Sequence, residues 1–96
     1  MSSPNVETFL FDKENEEKIT DHGLSIYRVL QLLDNTHVII PNRKRRRAKY
    51  LLIGRDNGGT CISVPIEPTH QSRIWRPITA WPSKKSEETI LDKNER

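Results

Sequence analysis

The chain has 96 residues and a formal net charge of +3, and 33% of its residues are hydrophobic. This length predicts a single domain over residues 1–96 with a thin core. No apolar run approaches the roughly 18 residues of a membrane span, so we predict no membrane-spanning helix. The N-terminal residues lack a basic start followed by an apolar stretch, so we predict no signal peptide and a cytoplasmic location.

Charge is divided unevenly along the chain. Residues 1–42 contain seven acidic and three basic residues, whereas residues 43–96 contain six acidic and thirteen basic residues. A basic half in an intracellular protein favours a polyanionic partner, usually nucleic acid. The acidic half serves solubility or meets a basic partner.

The N-terminal third predicts two helices. Residues 1–8 are polar and are expected to be loose, and residues 9–11 predict a short strand. Asp12 is a suitable N-cap for a helix that runs to about Asp21, before a terminating glycine at position 23. The spacing of Asn15, Lys18 and His22 predicts one polar helix face.

Ser25 is a suitable cap for a second helix, from Ile26 to about Asp34. The apolar stripe of this helix is predicted to contain Ile26, Val29, Leu30 and Leu33, with Leu32 off the stripe. Four strand-like segments follow at 37–40, 50–54, 60–67 and 73–79, and a short helix is predicted from residue 83 to 92. The order predicts an α+β fold: a small antiparallel sheet, two N-terminal helices on one face and a short C-terminal helix.

Three side chains near the predicted sheet carry further expectations. Cys61 is the only cysteine, which excludes an internal disulfide. Its place in a strand-like run predicts a small buried hydrophobe rather than a nucleophile. Trp75 and Trp81 lie six residues apart, so a regular strand would place both on one face, in the core or at a partner contact.

The sequence lacks the common nucleotide and zinc motifs. It has no phosphate-binding glycine loop, no dinucleotide glycine pattern and no His-Glu-x-x-His motif. One cysteine and three scattered histidines predict no metal site and no cofactor. Cleavage of RNA without a metal ion is still possible, because the RNA 2′-hydroxyl can attack the neighbouring phosphate. This reaction needs a base, an acid and a cation for the growing charge.

Five residues are candidates for those tasks: Lys18, His22, Arg55, Glu67 and Arg76. Histidine is the best acid–base group near neutral pH, but His22 can also simply close the first helix by bonding to a backbone carbonyl. Lys18 and Glu67 can equally be solvated surface residues. The two arginines suit phosphate oxygens and could point into a shared basic groove, or they could form ordinary salt bridges.

A run of basic residues favours polyanion binding over catalysis. The run consists of Arg43, Lys44, Arg45, Arg46, Arg47 and Lys49. Each cation near a phosphate adds salt-dependent affinity without sequence choice, and Tyr50 could stack on an unpaired base. A solvated loop and a nuclear localisation signal are the other readings of this segment.

Several motifs resemble those of BrnT-like toxins. The first motif comprises Phe11, Asp12, Asn15, Lys18, Ile19, His22, Gly23, Leu24 and Ser25. Segments 50–55, 57–67 and 75–80 resemble later strands of that family in the same order, and Glu87 or Glu88 matches a glutamate that often follows. The resemblance covers about residues 9–90.

This resemblance implies a compact fold similar to RelE/ParE-type toxins and a bacterial protein that cleaves RNA without the ribosome. It also implies neutralisation by a ribbon-helix-helix antitoxin, with operator DNA reached only through the toxin–antitoxin complex. By position, it assigns the reaction to Lys18, His22, Arg55 and Arg76.

The sequence departs from the family pattern at Trp81, where the family normally has arginine, and Pro77 is also unusual. Losing a cation that stabilises a transition state costs about a hundredfold or more in rate. The alternative function is therefore a degenerate toxin that binds nucleic acid or its antitoxin. A third reading, a DNA-binding helix-turn-helix around Gly23, is disfavoured because the second helix offers only Arg28 and Gln31 to bases.

Overall fold

The computed structural model describes residues 4–42 and 48–94. The elements in chain order are β1 (Thr8–Phe9), α1 (Lys13–Asp21), α2 (Ile26–Gln31), β2 (His37–Pro41), β3 (Tyr50–Arg55), β4 (Cys61–Pro68), β5 (Ile74–Pro77), β6 (Trp81–Pro82) and α3 (Lys85–Asn94). The predicted α+β class is confirmed. The strands form one sheet in the order β1-β5-β4-β3-β2, and β6 pairs with β4.

The sheet is mixed, which corrects the expectation of an antiparallel sheet. β1 runs parallel to β5, with Thr8 opposite Ile74, whereas the other pairs are antiparallel. The N-terminal segment is also less loose than expected, because Val6 packs against the core and Glu7 donates its backbone N–H to the Arg73 carbonyl. Residues 1–3 lie outside the described part.

Helices cover both faces of the sheet. On one face, Ile19 of α1 and Val29 of α2 pack with Leu52, Val64 and other buried residues of the strands. On the other face, Leu91 of α3 packs against a second cluster made by Leu51, Ile53 and Cys61. Alternate residues of β3 thus enter opposite cores, as the pleat of a strand requires. The prediction that Cys61 is buried is confirmed, and burial raises the pKa of its thiol.

A one-residue shift between β5 and β6 separates the two tryptophans. Ile66 pairs with Pro77, and a regular continuation would pair Ser63 with Ala80; Ser63 pairs with Trp81 instead. One extra residue in a strand turns all later side chains to the opposite face. Trp75 therefore lies in the core under α1 and α2, whereas Trp81 packs against the α3 cluster. The expectation of a shared face is wrong.

Asn15 joins three parts of the fold and is not on the polar face where the helical spacing placed it. Its side chain is fully buried and donates to the carbonyl oxygens of Leu10 and Pro77, both at 3.0 Å. It also accepts from the backbone N–H of Asp12, while the Asp12 carboxylate caps the N–H of Asn15. As predicted, Asp12 begins the helix, and Gly23, with φ of 79°, follows its end.

The apolar face of α2 differs from the predicted stripe. Leu32 is fully buried, whereas Leu30 is 40% exposed. The helix ends at Gln31, and the next backbone N–H groups bond three residues back, from Leu32 to Val29 and from Leu33 to Leu30. These tighter turns advance each side chain further around the axis than an α-helix does. Leu32 follows the fully buried Val29 by three residues, and residues at this spacing eclipse in such a turn, so Leu32 points inward with Val29.

The turn between β3 and β4 is organised by Asp56, which is 6% exposed. Its carboxylate accepts from Arg28 Nε of α2 at 2.8 Å and from the backbone N–H groups of Gly58 and Thr60. Burial opposes the ionised form of Asp56, but the bonds from Arg28 and the two N–H groups outweigh it, and the pKa is lowered. Asp56 thus ties α2 to the end of the sheet.

We predict that Asp56→Asn lowers the free energy of unfolding by about 2 kcal/mol at pH 7, because charge-assisted hydrogen bonds to a buried group are lost. A carboxyl whose pKa is lower in the folded than in the unfolded state stabilises the folded protein at pH values above its unfolded pKa. This contribution is lost as the pH falls through the folded pKa. The difference in the free energy of unfolding between wild type and variant should therefore disappear below about pH 4. Urea unfolding at several pH values measures it, with exposed Asp34→Asn as control. A difference that stays constant down to pH 2 would refute this role.

Candidate active site

His22 and Lys18 come together at the C-terminal end of α1. Both residues are exposed, and His22 Nδ1 lies 3.0 Å from the Lys18 carbonyl oxygen. His22 therefore closes the helix on a backbone carbonyl, which was one of its two sequence interpretations. The hydroxyl of Thr79, a residue that is 5% exposed, lies 3.4 Å from the same Nδ1. We call Lys18, His22 and Thr79 the His22 cluster.

The cluster forms because α1 lies along the segment that links β5 to β6. Asn15 holds the helix to Pro77, and two turns later His22 meets Thr79. Lys18 occupies the helix turn between these two contacts. The arrangement offers an imidazole and an ammonium group at the surface, which are a proton-transfer group and a cation. Sequence reasoning did not select Thr79, since no local pattern distinguishes it from other strand residues.

Arg76 and Glu67 also come together, but in a network of charges at the other end of α1. The guanidinium group of Arg76 bonds to Asp12 at 2.6 Å, Glu14 at 2.8 Å and Glu67 at 2.9 Å. These bonds, led by that to Asp12, raise the pKa of Arg76 further above its ordinary value. The Arg76 hydrogen bond in turn lowers the pKa of Asp12. We call these four residues the Arg76 network.

An arginine surrounded by three carboxylates suits a structural clamp, which holds α1 on the sheet, better than it suits a phosphate-binding site. The Arg76 side chain is 13% exposed, so its charge is largely committed to those neighbours. His22 follows Asp12 by ten residues, a distance of about 15 Å along a helix. Arg76 and His22 therefore lie at opposite ends of α1, and their side chains do not contact the same phosphate directly.

Arg55 lies apart from both groups. It bonds to Glu88 at 3.2 Å and Asp92 at 2.8 Å, both on α3. It is opposite Cys61 at the start of β4, whereas Arg76 is opposite Glu67 near its end. Six residues of strand separate these positions by about 20 Å. The expectation that Arg55 and Arg76 share one groove is wrong.

Trp81 anchors α3. It stands where the family that the sequence resembles has arginine. Its indole Nε1–H donates to Glu87 Oε1 at 3.0 Å. The same carboxylate oxygen accepts from the buried Ser63 hydroxyl and from the backbone N–H of Lys84. The glutamate noted in the sequence is therefore engaged in holding α3 on the sheet.

The predicted nucleic-acid segment is only partly described. Arg43, Lys44, Arg45, Arg46 and Arg47 lie outside the described residues. Lys49 is exposed, and Tyr50 is half-buried. The rings of Tyr50 and Trp75 are nearly perpendicular, with centroids 5.5 Å apart. Base stacking by Tyr50 and phosphate binding by this segment stay predictions.

An open hollow of about 510 Å³ runs along α1 and is lined by Asp12, Lys13, Glu16, Glu17, Thr20 and Asp21. Four carboxylates against one lysine repel a polyanion, so this hollow does not suit RNA despite its size. In residues 4–42 and 48–94, no group of three or more His, Cys, Asp or Glu side chains is arranged to hold a metal ion. None of the helices in those ranges is long and apolar enough to cross a membrane.

We predict that Arg76→Ala lowers the free energy of unfolding by about 2 kcal/mol, because three carboxylates are left facing one another without the cation that they share. This figure is below that of a fully buried pair, since Asp12 and Glu14 are partly exposed. Urea unfolding at pH 7 measures the change. The matched control is Arg73→Ala, which removes an exposed pair with Glu7 and should cost at most about 0.5 kcal/mol. Equal costs for the two variants would contradict the clamp.

Comparisons with known proteins give a match among solved structures. A scan against models of protein families found no match, and a search of curated proteins found none either. Among solved structures, the chain is similar to the crystal structure of the Brucella abortus ribonuclease toxin BrnT, with 16% identity and a TM-score of 0.53. The match covers 86% of this chain and 100% of that one. The chain thus has the fold of the BrnT ribonuclease toxin, as its sequence motifs had predicted.

Proposed function

We propose that this chain is the toxin of a bacterial toxin–antitoxin pair and that it cleaves RNA without a metal ion and without the ribosome. The observation that carries the proposal is the fold, which matches that of a protein described as a ribonuclease toxin over 86% of this chain. The His22 cluster supports it, since it combines an imidazole with an ammonium group at the surface. The basic residues from position 43 onward suit a polyanionic substrate.

In the proposed reaction, His22 removes the proton from the RNA 2′-hydroxyl, whose oxygen then attacks the adjacent phosphorus. The bond from phosphorus to the 5′-oxygen breaks, and this oxygen takes a proton from a water molecule, so that the products carry a 2′,3′-cyclic phosphate and a 5′-hydroxyl. Lys18, one helical turn away, supplies a positive charge for the phosphorane. Arg76 and Glu67 hold the start of α1 in place, and their role is therefore indirect.

The proposed partner is a ribbon-helix-helix antitoxin, and operator DNA is bound only through the complex of the two proteins. The support for this partner is the sequence resemblance together with the fold. The strongly acidic surface of α1 suits contact with a basic protein segment better than contact with RNA. The site of catalysis and the acidic hollow thus lie on the same helix but differ in their electrostatic character.

We predict that the purified chain, free of antitoxin, cleaves a defined naked RNA in the presence of EDTA. His22→Gln should lower the rate by about 10²- to 10⁴-fold, the usual contribution of a general base. His70→Gln is the matched control, since His70 is exposed in the loop before β5 and should leave the rate unchanged. Product ends and rates are read by gel electrophoresis and mass spectrometry.

A substrate with a single 2′-deoxy nucleotide at the cleavage site tests the chemistry directly. It should resist cleavage, because the attacking hydroxyl is missing. Cleavage of this substrate, or cleavage that requires added Mg²⁺, would contradict the proposed reaction. A folded wild-type chain that cuts no RNA would contradict the ribonuclease proposal as a whole.

A second candidate function is a binding module that has lost catalysis. Two observations favour it: Trp81 stands in the place of a family arginine, and Arg55 and Arg76 are both engaged in ion pairs with carboxylates. Such a module binds RNA or its antitoxin and cleaves nothing. Its RNA affinity should fall steeply with salt concentration, because phosphate contacts release counterions.

For this second candidate we predict that the wild-type chain binds RNA without cleaving it and that Trp81→Arg adds no cleavage, because the side chain at position 81 packs against α3 on the sheet face opposite that covered by α1. Trp81→Phe is the control, because it keeps an aromatic ring and adds no charge. Both variants lose the indole bond to Glu87, so circular dichroism must show that α3 is retained. Cleavage by wild type would rule out this candidate, and cleavage gained only by Trp81→Arg would contradict the prediction for position 81.

A further inference from the structure

The orientation of the His22 ring depends on two oxygen atoms that face the same nitrogen. Nδ1 lies 3.0 Å from the Lys18 carbonyl oxygen and 3.4 Å from the Thr79 hydroxyl oxygen. A carbonyl oxygen has no proton to give and can only accept. Nδ1 must therefore carry the proton of the neutral ring, and its N–H points between the two oxygens.

The remaining ring nitrogen then has a free lone pair. A neutral imidazole has one N–H, so a proton on Nδ1 leaves Nε2 as the acceptor. His22 is exposed at the end of α1, whereas Thr79 beneath it is 5% exposed. The Nδ1 side thus faces the protein, and the Nε2 side is the one that solvent or a substrate meets.

We infer that Thr79 is a positioning residue that, with the Lys18 carbonyl, holds His22 as the Nδ1–H tautomer and presents Nε2 as the proton-accepting nitrogen. This inference deepens the ribonuclease proposal and rests on it for its catalytic meaning. The tautomer itself is a property of the free protein. Lys18 contributes twice, through its backbone oxygen to the ring and through its side chain to the charge nearby.

Thr79 holds a fixed position because its segment is fixed on both sides. Pro77 accepts from the buried Asn15 side chain, and the backbone N–H of Ile78 donates to Pro65 of β4 at 2.9 Å. After Thr79, the chain enters β6 and pairs with β4. A hydroxyl on a segment that is held from both sides restricts the rotation of an exposed ring, which a single contact to a carbonyl of its own helix leaves free to turn away.

The test is long-range ¹H–¹⁵N NMR of the three histidines in the free protein at about pH 8.5, where imidazole rings are neutral. His37 is an internal reference, since its Nδ1 lies 2.8 Å from the Asn35 carbonyl oxygen. His70 is exposed, and its ring has no hydrogen-bond partner within residues 4–42 and 48–94, so it represents an unrestrained ring. We expect the ¹⁵N pattern of His22 to match that of His37 and to differ from that of His70.

Two substitutions separate positioning from stability. Thr79→Val removes the hydroxyl with little change in shape and should shift the His22 pattern toward that of His70. Thr79→Ser keeps the hydroxyl and should retain the wild-type pattern. In RNA cleavage, Thr79→Val should lower kcat about tenfold with KM little changed, and Thr79→Ser should stay within about twofold of wild type.

The outcomes distinguish the inference from the proposal on which it rests. An Nε2–H pattern for His22 in wild type, or an unchanged pattern in folded Thr79→Val, would overturn the inference whatever the activity. If wild type cuts no RNA but shows the expected tautomer and its loss in Thr79→Val, the positioning of the ring stands and the ribonuclease proposal fails. Signals of His22 are assigned by their absence from His22→Gln.

Discussion

The buried amide of Asn15 is the contact on which the rest of the structure depends. It binds the carbonyl oxygens of Leu10 and Pro77 and the backbone N–H of Asp12 at once. One side chain thereby joins the end of β1, the start of α1 and the end of β5. An apolar residue here would leave buried backbone groups without partners, which is costly. Because α1 is held at this point, its far end brings His22 to Thr79.

The shift between β5 and β6 explains why Trp81 has a structural role, although the family that the sequence resembles has arginine at this position. With the extra residue between the two strands, the side chain at position 81 enters the face covered by α3. There the indole of Trp81 packs in the apolar cluster and donates to Glu87. A tryptophan satisfies both the apolar surroundings and the carboxylate. The face of α3 is thus built for stability, and the exposed acid–base group lies at α1.

The arginines illustrate how ion pairing decides between catalysis and structure. Arg28, Arg55 and Arg76 each bind carboxylates from another element, and so connect α2, α3 and α1 to the sheet. A thin core in a chain of 96 residues gains from such connections. A guanidinium group surrounded by carboxylates has little charge left for a phosphate. Residue type alone therefore overestimated the number of cations available to RNA.

The sequence by itself determined the local features: the cap at Asp12, the glycine after α1, the burial of Cys61 and the α+β order of elements. These depend on neighbours within a few residues, and capping, turns and alternation are local physical signals. The motif of Lys18 and His22 also identified residues that lie together, since both are on one helix. Only the tertiary structure decided the parallel pairing of β1, the inward side chain of Asn15, the separation of Arg55 from Arg76 and the role of Thr79. Each of these depends on a partner tens of residues away, and the energy of such contacts cannot be read from a local pattern.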